Sequence, residues 1–264
     1  MIGAPRLICE PPTKMVLVIA APLGKALRAT ASINKEVLQA INVILKNFPK
    51  LHISEAATLC IPHLVVALGA GNQPVQESVL DTLCLLKHSW STMPVDVAKA
   101  QAMNAAEAIP TLQLLMRNCT SRFYQQAESL LHCLPGCLTV TIKRGINLKQ
   151  SMGSTNAFCR LMIGNGPPRQ TKVVHHSSSP EWKEAFSWAF DMPPKGQKLH
   201  ILCKSKSTFG KSTLGRVTIR IDEAVTEGIC SGCFDLTYES CTEASARSLD
   251  IEIVWSNRMP NDSL

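Results

Sequence analysis

The chain has 264 residues, enough for one large domain or two ordinary ones. Hydrophobic residues make up 45% and charged residues 18%, a balance that supports buried cores and excludes general disorder. The net charge of +7 is uneven, because residues 135–220 carry 14 Lys and Arg but only three acids. That stretch favours an anionic partner such as lipid headgroups, nucleic acid or an acidic protein segment.

Residues 1–30 are irregular and rich in proline, and we predict no regular domain there. The apolar run 15–21 is too short to span a bilayer. An acid and two prolines precede it instead of the basic leader of a signal peptide, so we interpret it as a buried helix or strand segment. Eleven cysteines without regular spacing then indicate reduced thiols inside the cell.

Residues 31–134 are predicted to be helical, because apolar residues recur there at helical spacing. Two patterns repeat, with offsets of 42 and 48 residues. Periods of roughly 40–47 residues are typical of armadillo and HEAT solenoids, and an ordinary helical bundle is the alternative. Proline in the second pattern suits the first turn of a helix. The repeated residues are Leu38, Ile41 and Ile44 with Leu80, Leu83 and Leu86, and Ile61-Pro62-x-Leu64 with Ile109-Pro110-x-Leu112.

Residues 135–258 alternate apolar and polar residues, which predicts strands, and Pro135-Gly136 marks the boundary. Eight short strands separated by turn signals are typical of a β-sandwich. The fold class is therefore multidomain α plus β: an armadillo-like helical solenoid fragment, an eight-stranded antiparallel sandwich and a tail at 259–264. The predicted strands are 138–142, 157–163, 170–175, 184–190, 198–203, 216–220, 233–236 and 249–255.

Several motifs over residues 135–256 resemble a C2 domain. They include the segments 156–158 and 209–211 and, most specifically, the Pro-x-Trp-x-Glu-x-Phe element at 180–186. The resemblance places the calcium-binding aspartates of that family at Gln150, Asn156, Ser205, Ser207 and Thr213 (or Ser212), none of which is a carboxylate. Calcium requires six to eight oxygen ligands, several of them charged. We therefore predict a C2-like domain without a calcium site.

The loops and strands that remain are basic, and this predicts docking on a membrane or on an acidic partner. Each Lys or Arg near an anionic leaflet contributes about 1 kcal/mol. For any single lysine, a solvated surface role is the alternative. Phe209, at a loop tip, either inserts into the membrane interface or fills the core. The candidate binding residues are Arg169, Lys172, Lys183, Lys198, Lys204, Lys206, Phe209 and Lys211.

Over residues 34–258 the chain also resembles the plant cellulose synthase-interactive proteins, on the segments 81–93, 129–143, 165–174 and 203–216. Members of that family are much longer and carry many more armadillo repeats. The resemblance implies a non-enzymatic scaffold that links the cellulose synthase complex to cortical microtubules. It implies as partners cellulose synthase subunits, microtubules (tubulin) and acidic phospholipids, with a cytoplasmic location peripheral to the plasma membrane and cortical microtubules.

Other interpretations of the sequence remain open. One is a calcium-independent phospholipid-binding trafficking adaptor unrelated to cellulose, and another is a C2-type protein that binds calcium through backbone oxygens. A third is an enzyme that uses a Cys and a His, although we find no catalytic motif. We predict no cofactor and no metal site. We also predict no nucleic-acid partner, because most aromatic residues in the basic stretch fit strand-core positions and are not available to stack on bases. An exposed solenoid end predicts self-association.

Overall fold

The computed structural model describes residues 53–70, 72–91, 93–118, 121–148, 154–207, 210–238 and 247–257, with side chains from residue 60 on and excluding 121 and 122. The chain divides into two compact units between Pro135 and Gly136. The predicted segments 1–30 and 15–21, and the repeat residues Leu38, Ile41 and Ile44, lie outside the described residues.

The described part of the first unit consists of helices. They are α1 (Ile53–Ala70), α2 (Gln73–Trp90), α3 (Val95–Ala106), α4 (Ile109–Asn118) and α5 (Ser121–Leu131). Asn72 precedes α2, and its side chain caps that helix by accepting a hydrogen bond from the Val75 N–H.

The predicted apolar repeat positions that the structure describes belong to the core of this unit. Leu80, Leu83 and Leu86 are buried along α2, and Ile61, Leu64, Ile109 and Leu112 are fully buried as well. Pro110 lies in the first turn of α4, as predicted, but Pro62 lies inside α1, so the prediction for that proline is wrong. An internal proline removes one backbone hydrogen bond, and the buried residues on both sides of it stabilise the helix by packing. The armadillo arrangement itself stays a prediction.

The second unit is a sandwich of two four-stranded antiparallel sheets, which confirms the predicted fold class of helices followed by an eight-stranded β-sandwich. Sheet A has the strand order β4-β1-β8-β7 and sheet B the order β3-β2-β5-β6. A short helix α6 (Asp222–Glu227), which the sequence analysis did not predict, precedes β7. The strands are β1 (Gly136–Ile146), β2 (Ala157–Ile163), β3 (Arg169–Gln170), β4 (Glu181–Phe190), β5 (Lys198–Ser207), β6 (Gly210–Arg220), β7 (Ile229–Asp235) and β8 (Ser248–Ser256).

The sandwich core follows the alternation of the sequence. In sheet B, Leu161, Ile201 and Ile219 are buried between the sheets, whereas Arg160 and Arg216 on the same strands are exposed. Side chains on a strand alternate between the two faces, so the polar members of β2, β5 and β6 share the outer face of sheet B.

The predicted third strand, 170–175, is wrong in extent, because β3 contains only Arg169 and Gln170. The hydroxyl of Thr171 accepts the hydrogen bond from the Cys159 N–H, in the position of a ladder carbonyl. Beyond it, Lys172 turns towards β4: its N–H donates to Glu184 Oε1 at 2.8 Å, and its carbonyl accepts from the Trp182 indole N–H at 3.1 Å. Side chains of the Pro-x-Trp-x-Glu-x-Phe element therefore interrupt this strand, and pairing with β2 resumes at Val174, which exchanges two backbone hydrogen bonds with Ala157.

Candidate functional site

Charge is divided sharply between the two sheets of the sandwich. The four strands of sheet B carry eight Lys and Arg residues and no Asp or Glu, whereas those of sheet A carry three Lys and Arg and five acids. The three cations of sheet A all pair with acids of the same sheet: Lys143 with Glu252, Arg144 with Asp250, and Lys183 with Glu181. The strands of sheet B contain no acid for such pairing.

Cations of sheet B face each other directly across neighbouring strands. Lys206 is the register partner of Lys211, and Lys198 is the register partner of Arg220, which also pairs with Asp222 at 3.2 Å. An anion placed between two such cations contacts both. We call the outward basic side chains of sheet B the basic face; they are Arg160, Lys198, His200, Lys204, Lys206, Lys211, Arg216 and Arg220.

Two of the predicted cations also stack on aromatic rings. The Lys211 ammonium lies 5.5 Å from the centre of the Phe158 ring, and the Arg169 guanidinium lies 5.0 Å from that of Trp188. Such contacts fix the direction of a long side chain while its charge remains near the surface. Trp188 belongs to β4 of sheet A, so Arg169 lies at the edge between the sheets and not on the basic face.

Lys183 and Lys172 do not join the basic face. Lys183 is on β4 of sheet A and has a positive φ of 50° at the irregularity in the pairing of β1 with β4. Its ammonium contacts Glu181 at 2.8 Å, and this hydrogen bond lowers the pKa of the Glu181 carboxyl. Lys172 is exposed in the turn between β3 and β4, where Glu184 and Trp182 hold its backbone.

The position that resembles a calcium aspartate in the first loop, Asn156, instead connects three segments through its amide. Its Nδ2 donates to the Lys206 carbonyl at 2.9 Å, and its Oδ1 accepts from the His176 N–H at 3.1 Å and lies 3.3 Å from His175 Nδ1. The Asn156 N–H donates to Ser205 Oγ at 2.9 Å. A neutral amide can do this because it carries both a donor and an acceptor, whereas a carboxylate only accepts.

The other degenerate calcium positions also have short polar side chains. Ser205 is fully buried, Ser207 donates to the Gly210 carbonyl at 3.2 Å, and Thr213 pairs with Lys204 across β5 and β6. Gln150 and Phe209 lie outside the described residues. Within the described part of the chain, no group of three or more His, Cys, Asp and Glu side chains is placed to hold a metal ion.

Sequence reasoning missed four residues of the basic face, Arg160, His200, Arg216 and Arg220. Each is an exposed residue in the alternating pattern of a predicted strand, and alone resembles an ordinary solvated side chain. The register brings them together, since Arg160 and Arg216 are both partners of Leu202, on opposite sides of β5. The signal that would have found them is the absence of acids from the three strands together.

The helical unit offers a different kind of surface. The side chains of Val66, Val95, Met103 and Leu114 are between 51% and 79% exposed. Polar contacts join α2 to α5, where Lys87 Nζ donates to the Ser129 carbonyl at 2.9 Å. None of the helices in the described part of the chain is both long and apolar enough to cross a membrane.

Known proteins share both the sandwich and the wider sequence. The C2 domain family matches residues 136–236. Protein CELLULOSE SYNTHASE INTERACTIVE 3 of Arabidopsis thaliana is 64% identical over 250 residues, covering 95% of this chain. Protein CELLULOSE SYNTHASE INTERACTIVE 2 of the same plant is 53% identical over 235 residues, covering 87% of this chain. The resemblance to the cellulose synthase-interactive family is confirmed.

The chain spans only 12% and 11% of the length of these two relatives. Among solved structures, a C2 domain of plant extended synaptotagmin 1 is 21% identical with a TM-score of 0.41, covering 47% of this chain and 96% of that domain.

Four of the described cysteines have thiols whose pKa is shifted away from that of a nucleophile. Burial raises the pKa of the thiols of Cys60, Cys84, Cys159 and Cys230, and a reactive cysteine needs the opposite shift. We expect iodoacetamide at neutral pH to alkylate the exposed Cys233 first and to leave the fully buried Cys159 unmodified until the domain unfolds. Peptide mapping by mass spectrometry measures this order, and rapid alkylation of a buried cysteine would instead favour the Cys/His enzyme.

Proposed function

We propose that this chain is a non-enzymatic adaptor whose C2 domain docks on acidic phospholipid surfaces through the basic face, without calcium. The supporting observation is that the strands of sheet B carry eight Lys and Arg and no acid. A one-sided basic surface is attracted to an anionic leaflet over about a Debye length and binds it through many weak contacts.

Calcium independence rests on the loop ends. Asn156 already satisfies the Lys206 carbonyl by a hydrogen bond, and Ser205 and Ser207 bring no charge to the same end of the sheet. A calcium ion there would lose its hydration shell without gaining carboxylate ligands. The described ends of these loops are held by neutral hydrogen bonds, so the proposed docking does not require a calcium ion.

We assign the partners by likeness to the relatives, whose names describe them as cellulose synthase interactive. In this proposal the helical unit binds cellulose synthase subunits, and its exposed apolar side chains, such as Val66 and Val95, suit a protein surface. Cortical microtubules are a second acidic surface for the basic face, and the location is the cytoplasmic side of the plasma membrane. Self-association through the helical unit stays part of the proposal.

The test is co-sedimentation of the purified chain with phosphatidylcholine vesicles with and without phosphatidylserine, and separately with microtubules, each in calcium and in chelator. We expect binding to the phosphatidylserine vesicles that is equal in calcium and chelator and weakens as salt rises, because salt screens exposed charges. Binding that requires calcium would disprove the ion-independent mechanism. Binding to microtubules but not to vesicles would mean that the basic face docks on the cytoskeleton and not on lipid. Binding to neither would mean that the helical unit is the binding surface.

A further inference from the structure

The middle of the outer face of sheet B contains a groove with a volume of about 460 Å³. That volume is within the range of small-ligand sites. Unlike the two ends of the sheet, where cations face each other across β5 and β6, the groove combines apolar and cationic side chains. It lies over β2, β5 and β6, and its outward lining residues are Arg160, Met162, His200, Leu202, Arg216 and Thr218.

The pairing register arranges these side chains in two rows across the strands. One row is Arg160, Leu202 and Arg216, so an apolar side chain lies between two guanidinium groups. The next row is Met162, His200 and Thr218, with His200 Nδ1 3.2 Å from Thr218 Oγ1. Neighbouring strands are about 4.8 Å apart, so the Cα atoms of the two arginines are separated by about 10 Å.

This arrangement has the chemistry of a mixed ligand. A guanidinium presents a planar fork of donors that matches a carboxylate, and two such forks select two acidic groups. Leu202 and Met162 are both partly exposed, and an apolar ligand group gains by covering them. A phosphorylated sugar would instead bring polar hydroxyls against that apolar floor without compensating hydrogen bonds.

We infer that this groove binds an acidic peptide segment in which carboxylates flank one large apolar side chain. The apolar side chain covers Leu202 and Met162, and the carboxylates pair with Arg160 and Arg216. In an extended segment, residues two positions apart point to the same side and are separated by about 6.7 Å. The carboxylates on either side of the apolar residue are therefore about 13 Å apart, and the long Arg side chains can span the difference from the distance of about 10 Å between their Cα atoms. The inference shares Arg160 and Arg216 with the proposed membrane docking, because both residues belong to the basic face, but peptide binding needs no membrane and does not involve Lys204 or Lys206.

The experiment uses a fluorescein-labelled synthetic peptide with the core Glu-Asp-Phe-Asp-Glu, titrated with the full chain and followed by fluorescence anisotropy. Two control peptides replace the acids by their amides or the Phe by Ser. We expect the acidic Phe peptide to bind and each control to bind at least about tenfold more weakly, since hydrogen bonds to charged groups and buried apolar contacts each contribute at this level. Equal binding of the acidic Phe and Ser peptides would overturn the inference.

Matched variants separate the groove from the rest of the basic face. R160Q/R216Q and K204Q/K206Q each remove two charges from sheet B. All four side chains lie on the outer face of the sheet, so we expect both variants to fold, and their melting temperatures check this. We expect R160Q/R216Q to lower peptide affinity by about a hundredfold and K204Q/K206Q to change it by only a few fold. Vesicle binding is expected to fall in both variants, because all four residues belong to the basic face, so the two variants are separated by their affinity for the peptide.

A third variant, L202T, keeps a residue that suits a strand and removes the apolar floor. It should abolish the preference for the Phe peptide over the Ser peptide while leaving vesicle binding unchanged. Loss of vesicle binding in R160Q/R216Q with peptide binding intact would identify a lipid-headgroup site and overturn the inference. Failure of the chain to bind vesicles, with the expected peptide results, would disprove the membrane proposal alone.

Discussion

The variant K204Q/K206Q/K211Q is expected to bind phosphatidylserine vesicles about a hundredfold more weakly than the unmodified chain. All three lysines belong to the basic face, and Lys206 and Lys211 are register partners. Each cation near an anionic surface contributes about 1 kcal/mol, so the loss of three corresponds to about two decades in affinity. Vesicle co-sedimentation at fixed ionic strength measures the change.

The matched control is K143Q/R144Q/K183Q, which removes the same number of charges from sheet A. These cations pair with acids of their own sheet, and exposed pairs contribute little to stability. The two sheets of a sandwich are about 10 Å apart, which is about one Debye length at 0.1 M salt. We therefore expect the affinity of this control variant for vesicles to change by a few fold at most. Equal weakening by both variants would show that net charge, and not the basic face, determines vesicle binding.

The second large effect is expected at Asn156. N156A removes the hydrogen bonds of the side-chain amide to Lys206, His176 and His175. At about 1 kcal/mol each, the loss lowers the free energy of unfolding by about 2–3 kcal/mol. For a domain of this size that corresponds to a fall of about 6–10 °C in melting temperature, measured by circular dichroism.

Two further variants test the cause. N165A replaces an exposed asparagine in the turn before β3, and we expect a change within about 0.5 kcal/mol. N156D keeps the acceptors but turns a carboxylate oxygen towards the Lys206 carbonyl, so it should be destabilised to a similar extent as N156A. If N156D melts like the unmodified chain, the donor to Lys206 is not what holds the loop ends.

The sequence predicted the sandwich well because the evidence for it is local. Alternation in β2, β5 and β8 reflects a single buried face, and the Trp182 and Glu184 element could be recognised as a motif. Prediction of the length of β3 failed because the contacts that interrupt this strand come from residues on β4. The position of Pro62 was wrong for a similar reason, since packing around Ile61 and Leu64 decides where α1 extends.

The candidate site was only partly predictable. The expectation of no calcium site rests on residue type alone and stays a prediction. The hydrogen bonds of Asn156 instead involve backbone atoms of Lys206 and His176, which are distant in sequence. Lys204, Lys206 and Lys211 were found because they cluster along the chain. Arg160 and Arg216 were missed because they cluster only across strands, where register decides which residues are neighbours.

The cations that face each other on β5 and β6 lower the stability of the free domain while they supply the proposed docking surface. Lys206 faces Lys211, and Lys198 faces Arg220, and like charges directly opposite each other destabilise a sheet. In the proposed docking, a bound anionic surface would relieve that repulsion and make the domain more stable than it is in solution. Selection for heat resistance in solution would favour neutral replacements at these positions and would thereby discard the docking surface, a trade-off common at functional sites.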